Sequence, residues 1–305
     1  LPEGSYTALP EVRQALSSPE GLRRAQDEGM ILEAVAQRCT AAHDLLFDFG
    51  FAQGIMPRSC CALGVAEGDT REIAILSRVG KPTCFVVTEV DETADPPAVW
   101  LSRTIVQQHA QDFFLDTLTP GDVIPAAVTH LEPFGAFVDV GCGVASLIGI
   151  ENLSVSRIFH PSDRLSVGQS IYAAVRSVDR KTRRISLTHR ELLGTWEQNA
   201  AQFSPGETVR GVVRSVEPYG VFIELAPNLS GLAEPRSDLA AGTVVSVYIK
   251  SILPQRMKIK LTVIDVLAAS EAPPLPQYFI TEGHIDEWVY TPACCDRKYI
   301  ATVFE

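Results

Sequence analysis

One stretch of this chain occurs twice, 85 residues apart, as Val128–Val140 and Val213–Leu225. Both copies contain an aromatic-Gly-x-Phe pattern inside a run of β-branched residues. Each copy also follows a Pro-Gly pair, at Pro120-Gly121 and at Pro205-Gly206. Two copies in the same register predict a repeated domain, so the two stretches are expected to adopt the same fold.

The spacing of apolar runs and turn residues predicts five short strands between 118 and 190, a pattern typical of a small closed barrel. The stretch 203–265 repeats the strand order with a shorter middle, and 27–104 follows it more weakly. Within the weaker copy, Arg71–Leu76 is apolar enough to be a strand. We therefore predict a mainly β protein with tandem five-stranded barrels joined by short helices and a small C-terminal β tail.

Charge is distributed unevenly along the chain. The net charge of −11 argues against a nucleic-acid partner, but residues 1–120 carry 9 basic and 17 acidic side chains. Residues 121–190 carry 8 and 6, and residues 206–265 carry 7 and 6. The two clear repeats are thus net-basic, and binding depends on the local field rather than on the global charge.

The ordered motifs of the central repeat resemble the S-one RNA-binding domain, a five-stranded OB-fold barrel named after the largest protein of the bacterial small ribosomal subunit. They are Gly121-Asp-Val, Phe134-Gly-Ala-Phe137, Leu147-Ile148, Gly168-Gln, Val178-Asp179 and Arg184-Ile-Ser-Leu187. The resemblance is close over 118–190, good over 203–265 and weak over 27–104. The whole chain resembles the multi-repeat ribosomal-protein-S-one-like proteins of Firmicutes.

This comparison divides the chain into seven segments. They are an N-terminal leader (1–26), a degenerate barrel (27–104), a helical linker (105–117), a barrel (118–190), a helical linker (191–202), a barrel (203–265), and a Pro-rich segment with a C-terminal tail (266–305). The Pro-rich part contains Pro273, Pro274 and Pro276, and the apolar residues of the tail predict a hairpin docked on the last barrel.

Strand alternation predicts which side chains of the central repeat face outward. Ala136, Val138 and Val140 share one apolar face, which leaves Phe137 outward beside the carboxylate of Asp139. Phe134 points outward only if Gly135 bends the strand. The same logic places Tyr219 and Phe222 outward in the last repeat, and two exposed aromatics form a platform on which nucleobases can stack.

The last strand of each repeat supplies cations to the same face. Ile185 and Leu187 are expected to face the core, so Arg184, Ser186 and Thr188 face outward. In the last repeat the outward residues are Lys258, Lys260 and Thr262, and Arg176 and Lys250 occupy matching places on strand four. The resemblance implies RNA contacts at Phe134, Phe137, Asp179 and Arg184, and at Tyr219, Phe222 and Lys258.

The first repeat departs from this pattern. Near Ala42 and Leu45 no side chain can stack on a base, and the segment is strongly acidic. We therefore expect the first barrel to have lost RNA binding and to contact a protein partner.

The last repeat also departs from the central one. The turn acid Asp179 has no counterpart there, where Leu253-Pro254 lies.

These observations favour a non-catalytic protein that binds single-stranded mRNA or ribosomal RNA in translation, with the small ribosomal subunit as a further partner. The alternatives are an accessory subunit of an RNA-processing enzyme and a protein-interaction scaffold. The sequence contains no acids at metal spacing, no Gly-rich phosphate loop and no nucleophile triad, so no catalytic, cofactor or metal residues are expected.

The seven cysteines lack a Cys-x-x-Cys spacing, which is typical of reduced thiols in a cytoplasm. The sequence shows neither an apolar run of transmembrane length nor a secretory signal. A cytoplasmic location without a membrane partner is therefore expected.

Overall fold

The computed structural model describes residues 1–268 and 275–305, which form two compact units. The first unit comprises Leu1–Thr117 with Asp139–Ala145, and the second comprises Leu118–Val138 with Ser146–Glu305. Pro273 and Pro274 of the predicted Pro-rich segment lie outside the described residues.

The first unit contains four α-helices and six strands among the residues described. The helices are α1 (Pro10–Ala15), α2 (Pro19–Asp27), α3 (Ile73–Leu76) and α4 (Arg103–Thr117). The strands are β1 (Leu32–Val35), β2 (Arg38–Cys39), β3 (Leu45–Asp48), β4 (Gln53–Met56), β5 (Pro82–Asp91) and β6 (Ala98–Ser102). The sheet order is β1-β5-β6-β4-β3-β2. Because β1 pairs with β5 and β2 pairs with β3, this open sheet has the strand order of a five-stranded barrel whose first strand is divided into β1 and β2.

Two sequence predictions for this unit are wrong. The stretch Arg71–Leu76 does not pair in a sheet, because its apolar part forms the one-turn helix α3. The predicted leader is not a separate segment either. Helices α1 and α2 bury Val12 and Leu22 in the same core as Phe47 and Phe85 of the sheet. Apolar residues on one face of each helix explain this packing, since the helices would otherwise expose them.

The second unit contains two five-stranded barrels and a tail. The strands of the second barrel are β7 (Val123–Glu132), β8 (Gly135–Asp139), β9 (Ala145–Gly149), β10 (Ser170–Asp179) and β11 (Arg184–Thr188). After α5 (Trp196–Ala200), the third barrel comprises β12 (Thr208–Glu217), β13 (Gly220–Ala226), β14 (Leu229–Ala233), β15 (Val244–Leu253) and β16 (Lys258–Val266). Strands β17 (Glu287–Val289) and β18 (Ala301–Val303) form a hairpin in the tail.

Both barrels are closed, in the orders β10-β11-β9-β8-β7 and β12-β13-β14-β16-β15. The closure includes a parallel pairing at the same place, β9 with β11 and β14 with β16. The predicted fold class, mainly β with tandem five-stranded barrels of the OB type, is therefore confirmed. Alternation explains the cores, because Ile185, Leu187, Ile259 and Leu261 are all buried as expected. Each such side chain contributes about 1.5–3 kcal/mol when removed from water.

Buried polar groups join the second barrel to the third. The Glu224 carboxylate on β13 binds Arg214 on β12, with Nε to Oε2 at 2.8 Å, and also the guanidinium of Arg164 from the loop that precedes β10. Asp163 pairs with Arg214 at 3.5 Å. Burial lowers the pKa of Arg164 while Glu224 opposes that effect. Charges buried at this depth are stable only while paired, so the network fixes the two barrels against each other.

Asn228 makes a second connection at the same junction. Its Oδ1 accepts from the Val155 amide at 2.9 Å, and its Nδ2 donates to the carbonyls of Arg190 and Gly194 at 2.7 and 2.8 Å. The Asn228 carbonyl accepts from the Tyr290 hydroxyl of the tail. One fully buried side chain and its own carbonyl thus tie together the second barrel, the connector, the third barrel and the tail.

The tail packs on both barrels. Trp288 and Tyr290 lie in the same apolar cluster as Trp196 and the core of the third barrel, which is the docked hairpin predicted from the sequence. The Ile285 amide donates to the Gly121 carbonyl of the second barrel at 3.0 Å. The tail also contacts His189, which directly follows β11 of the second barrel. Nε2 of His189 lies 2.9 Å from the Tyr278 hydroxyl.

Candidate nucleic-acid interface

The second and third barrels carry aromatic pairs of matching geometry. The Phe134 and Phe137 ring centroids are 6.0 Å apart at an interplanar angle of 87°. The Tyr219 and Phe222 centroids are 6.1 Å apart at the same angle. Phe134 is 56% exposed and Tyr219 is 66% exposed, while the second ring of each pair is half-buried. Each pair therefore offers one anchored and one accessible ring to a ligand.

A glycine directly after the first ring of each pair explains why Phe134 and Tyr219 face solvent rather than the core. A Cβ on Gly135 would lie 2.4 Å from the Ile148 carbonyl oxygen, and one on Gly220 would lie 2.6 Å from that of Ala233. Only glycine allows the neighbouring strand to approach so closely. The strand starts at this glycine, so the preceding aromatic lies outside the alternation and faces solvent.

The carboxylates that flank the platforms are buried rather than exposed. Asp139 is 3% exposed and Glu224 is 7% exposed. Asp139 accepts from the amides of Gly141 and Gly143 at 2.8 and 2.9 Å, and burial raises the pKa of its carboxyl to about 6. The expectation that Asp139 faces outward is therefore wrong, although Phe137 beside it is partly exposed.

A β-bulge places the strand-four cation at the same point of each barrel. The pairing of β10 with β11 skips Arg176, between Val175 and Ser177. The pairing of β15 with β16 likewise skips Lys250, between Ile249 and Ser251. A residue in a bulge is released from the ladder, which turns its side chain away from the barrel. Both residues are exposed.

The two bulge cations differ in their surroundings. Arg176 donates through Nη1 to the side-chain oxygen of Asn152. Lys250 is 2.8 Å from Glu234, whose carboxyl pKa falls because of the hydrogen bond from Lys250. Glu234 therefore competes with a phosphate for Lys250.

The last strands present cations as the alternation predicts, but the two threonines expected outward are covered. Thr262 is half-buried, and its hydroxyl oxygen is buried. Arg184, Lys258 and Lys260 are exposed, between buried Ile and Leu residues. Thr188, expected outward, is 1% exposed, and its hydroxyl donates to Glu191. The strand ends at Thr188 and turns directly into the connector, which covers it.

In the third barrel the register aligns an aromatic with a cation. Phe222 is opposite Leu232, and Leu232 is opposite Lys260, so the three residues form a row across adjacent strands. All three are partly or fully exposed. With strands ~4.8 Å apart, Lys260 lies about 10 Å from Phe222 along the sheet.

Asp179 lies at the end of β10 and organises the turn to β11. Its carboxylate accepts from the amides of Lys181 and Thr182 and from the Thr182 hydroxyl, at 2.9, 3.1 and 2.7 Å. The hydrogen bond from the Thr182 side chain lowers the pKa of this carboxyl. These bonds shape the turn, and the register partner of Asp179 on β11 is Arg184.

The first unit carries the same scaffold with different chemistry. The pairing of β5 with β6 skips Thr88, so the bulge position holds no cation there. By register, Ala98 and Trp100 occupy the places of Lys258 and Lys260. The places of Tyr219 and Phe222 correspond to His43 and Leu46, one residue later than the sequence suggested.

In this unit His43 is partly exposed, and its imidazole is paired with an acidic side chain. Its Nδ1 lies 3.0 Å from the Glu72 carboxylate, which also binds Arg58. Among the residues described, no group of three or more His, Cys, Asp or Glu side chains could hold a metal ion. No helix within the described ranges has the length and apolarity to cross a membrane.

Comparisons with known proteins agree with this geometry. The family model described as S1 RNA binding domain, the S-one domain named above, matches residues 117–190. The small ribosomal subunit protein bS1 of Staphylococcus aureus is 34% identical over 276 residues, which cover 85% of this chain and 68% of that protein. The bS1 homolog of Bacillus subtilis is 32% identical, over 72% of this chain and 59% of that protein.

A solved structure from Streptococcus pneumoniae, described as a multidomain protein with nucleic acid binding domains, covers 77% of this chain and 73% of that one. The identity is 14% and the TM-score is 0.27. The classification follows from the Staphylococcus aureus protein, since the match with this chain covers more than two thirds of it at 34% identity. The chain belongs to the bS1 family of small ribosomal subunit proteins.

Proposed function

We propose that this chain is a non-catalytic RNA-binding protein of translation, which binds single-stranded mRNA or ribosomal RNA in the cytoplasm through its second and third barrels. The observation that carries the proposal is the pair of matching aromatic platforms, each beside exposed cations on strands four and five. Base stacking on an aromatic contributes about 1–3 kcal/mol per base and tolerates any base, which fits a protein that binds many RNA sequences.

The rigid junction between these barrels supports a joint mode of binding. The Arg164–Glu224 and Asn228 contacts hold the two platforms at a fixed separation within one unit. An RNA bound to one platform is therefore presented to the other at a high effective concentration, which raises avidity without new contacts. Two weak modules can in this way bind a flexible strand firmly.

The relatives of this chain bear on its binding partners. Those in Staphylococcus aureus and Bacillus subtilis carry the name of a small ribosomal subunit protein or of its homolog. We therefore propose the small subunit as a binding partner. For the first unit we propose a protein contact instead, because Thr88, Ala98 and Trp100 stand where the third barrel has three cations.

Titration of fluorescent, unstructured RNA tests the platform model. The variant combines Phe134→Ala, Phe137→Ala, Tyr219→Ala and Phe222→Ala, and the control is Phe159→Ala, which removes an equally exposed phenylalanine outside both platforms. We expect a loss of at least about tenfold in affinity for the fourfold variant, since one stacked base alone is worth about 1–3 kcal/mol. The control should bind as the wild type does.

Repeating the titration at two salt concentrations tests the phosphate contacts. Each neutralised phosphate on a single strand contributes a slope of about −0.7 to the logarithmic dependence of the association constant on salt. Equal binding by the fourfold variant and the control would refute the platform model, and a flat salt response would refute the role of the cations. Labelled RNA that is shortened during incubation would contradict the non-catalytic proposal.

A further inference from the structure

A groove of about 400 Å³ lies between the aromatic platform of the third barrel and the tail. The barrel contributes Tyr219, Phe222 and Lys258, and the tail contributes residues between Tyr290 and Ile300. Its volume falls within the range of about 300–1,000 Å³ that is common for ligand sites. The groove therefore extends the platform from an open surface into a cleft with two walls.

Hydrogen bonds fix the tail wall in place. Tyr290 and Ile300 are joined at the end of the β17–β18 hairpin, with the Tyr290 amide donating to the Ile300 carbonyl at 2.9 Å. The Trp196 amide donates to the Tyr290 carbonyl at 3.1 Å, and the Tyr290 hydroxyl donates to the carbonyl of Asn228. The loop 291–299 between these anchors is thus held at the groove by helix α5 and the third barrel.

The charge of the lining is entirely positive among the described residues. Arg256 and Lys258 come from the barrel, and Arg297 and Lys298 come from the tail loop, with no carboxylate among the residues that line the groove. Arg297 and Lys298 are both exposed. Cations around an aromatic pair suit a nucleotide, since the rings can stack on the base while the cations neutralise its phosphate.

We propose that the tail loop forms the second wall of an RNA cleft on the third barrel, with Arg297 and Lys298 binding phosphates of the nucleotides whose bases stack on Tyr219 and Phe222. This inference rests on the proposed function of the platform. It adds a binding element from outside the barrel fold and makes the third barrel a different site from the second, although their platforms match.

The first test compares two pairs of adjacent cations in the full chain. Both sets of variants are built on Phe134→Ala/Phe137→Ala, so that binding depends on the third barrel. Arg297→Gln/Lys298→Gln removes the tail cations, and Arg23→Gln/Arg24→Gln removes an exposed pair of the same charge from the first unit. The probe is a short fluorescent oligouridylate.

We expect the tail variant to bind roughly threefold to tenfold more weakly than the Arg23/Arg24 control, a loss in keeping with two exposed charge contacts. Its salt slope should fall by about 1.4, which corresponds to two phosphate contacts on a single strand. Identical affinities and slopes for the two variants would overturn the proposal. An added Tyr219→Ala/Phe222→Ala variant that still binds normally would instead refute the platform on which the proposal rests.

The second test uses a thiol in the groove wall as a reporter. Cys295 lines the groove, whereas its neighbour Cys294 is exposed and is not among the lining residues. In a Cys294→Ser variant, bound oligouridylate should slow the alkylation of Cys295 by N-ethylmaleimide, as measured by peptide mass spectrometry. In a Cys295→Ser variant, the alkylation of Cys294 should be unaffected.

Equal alkylation of Cys295 with and without RNA would overturn the proposal. So would competition by polyglutamate as strong as that by an unlabelled oligouridylate of similar charge, because an acidic peptide has no base to stack on the aromatic pair. Stronger competition by the oligouridylate supports RNA as the occupant.

Discussion

His189 is a fully buried imidazole whose neutral form holds the tail to the second barrel. Its Nδ1 lies 3.0 Å from the Leu153 carbonyl, so this nitrogen is the donor. Nε2 is then the acceptor for the Tyr278 hydroxyl at 2.9 Å. The Tyr278 hydroxyl also accepts from the Tyr172 amide at 3.2 Å. A proton on Nε2 would remove the acceptor that Tyr278 needs.

The protonation of His189 should therefore make stability depend on pH. Burial lowers the pKa of this imidazole from 6.5 to about 4 in the folded protein. Between those values the unfolded chain binds a proton that the folded protein does not, so stability falls as the pH falls from about 6.5 to about 4. At about 1.4 kcal/mol per pKa unit, the loss is about 3 kcal/mol. Above pH 6.5 this contribution to stability is fully present.

Urea unfolding at pH 7, 6, 5 and 4 measures this loss in wild type and in His189→Gln, whose amide can still donate and accept but does not titrate. Tryptophan fluorescence reports on the second unit if Trp100, the partly exposed indole of the first unit, is replaced by Phe in all proteins. Trp196 and Trp288 then remain, and both are buried in the cluster of the third barrel. We expect the wild type to lose about 3 kcal/mol more than His189→Gln on acidification.

Tyr278→Phe is the matched control for the hydrogen bond. It leaves His189 titratable but removes the hydroxyl, so we expect a loss of about 1–3 kcal/mol already at pH 7. If wild type and His189→Gln lose the same stability between pH 7 and pH 4, the imidazole is not the group responsible and the argument fails.

Three further predictions concern polar contacts of the second unit. Glu224→Gln leaves the buried Arg164 without a counter-charge and should lower the free energy of unfolding by about 3–5 kcal/mol in urea, whereas the exposed Glu234→Gln should change it by less than about 1 kcal/mol. Glu234→Gln should also release Lys250 to RNA and raise affinity about twofold to fivefold in a filter-binding assay, with a steeper salt slope. Asn228→Ala leaves three buried partners unsatisfied and should lower the free energy of unfolding by about 3 kcal/mol or more, measured in the same urea series.

Local periodicity was sufficient to predict the barrel cores. Ile185 and Leu187 alternate with polar residues over a short strand, and nothing distant is needed to decide which side they face. The same rule failed where hydrogen bonds override it. It placed Asp139 in solvent because charges usually face water, but the amides of Gly141 and Gly143 and the amide of the distant Glu3 satisfy this carboxylate inside the protein.

Other features depend on residues far apart in the chain. His189 and Tyr278 are 89 positions apart. Asn228 connects the two barrels and the tail only because folding brings Val155, Arg190, Gly194 and Tyr290 within hydrogen-bond distance of it. The sequence around a single residue of this kind gives no signal of its role, because asparagine is common in the turns of any protein. The bulges are equally invisible to strict alternation.

The three copies of the fold differ at three outward positions, which we propose as the determinants of RNA binding. Three positions are equivalent by strand register in all copies: the bulge on strand four, and the first and third residues of strand five. The first copy has Thr88, Ala98 and Trp100 at these positions, the second has Arg176, Arg184 and Ser186, and the third has Lys250, Lys258 and Lys260. These side chains point away from the buried strand residues, so the barrel places no strong constraint on them. Because the scaffold is the same in each copy, the difference in proposed partner comes from these outward residues, and each barrel has to be assigned a function from its surface rather than from its fold.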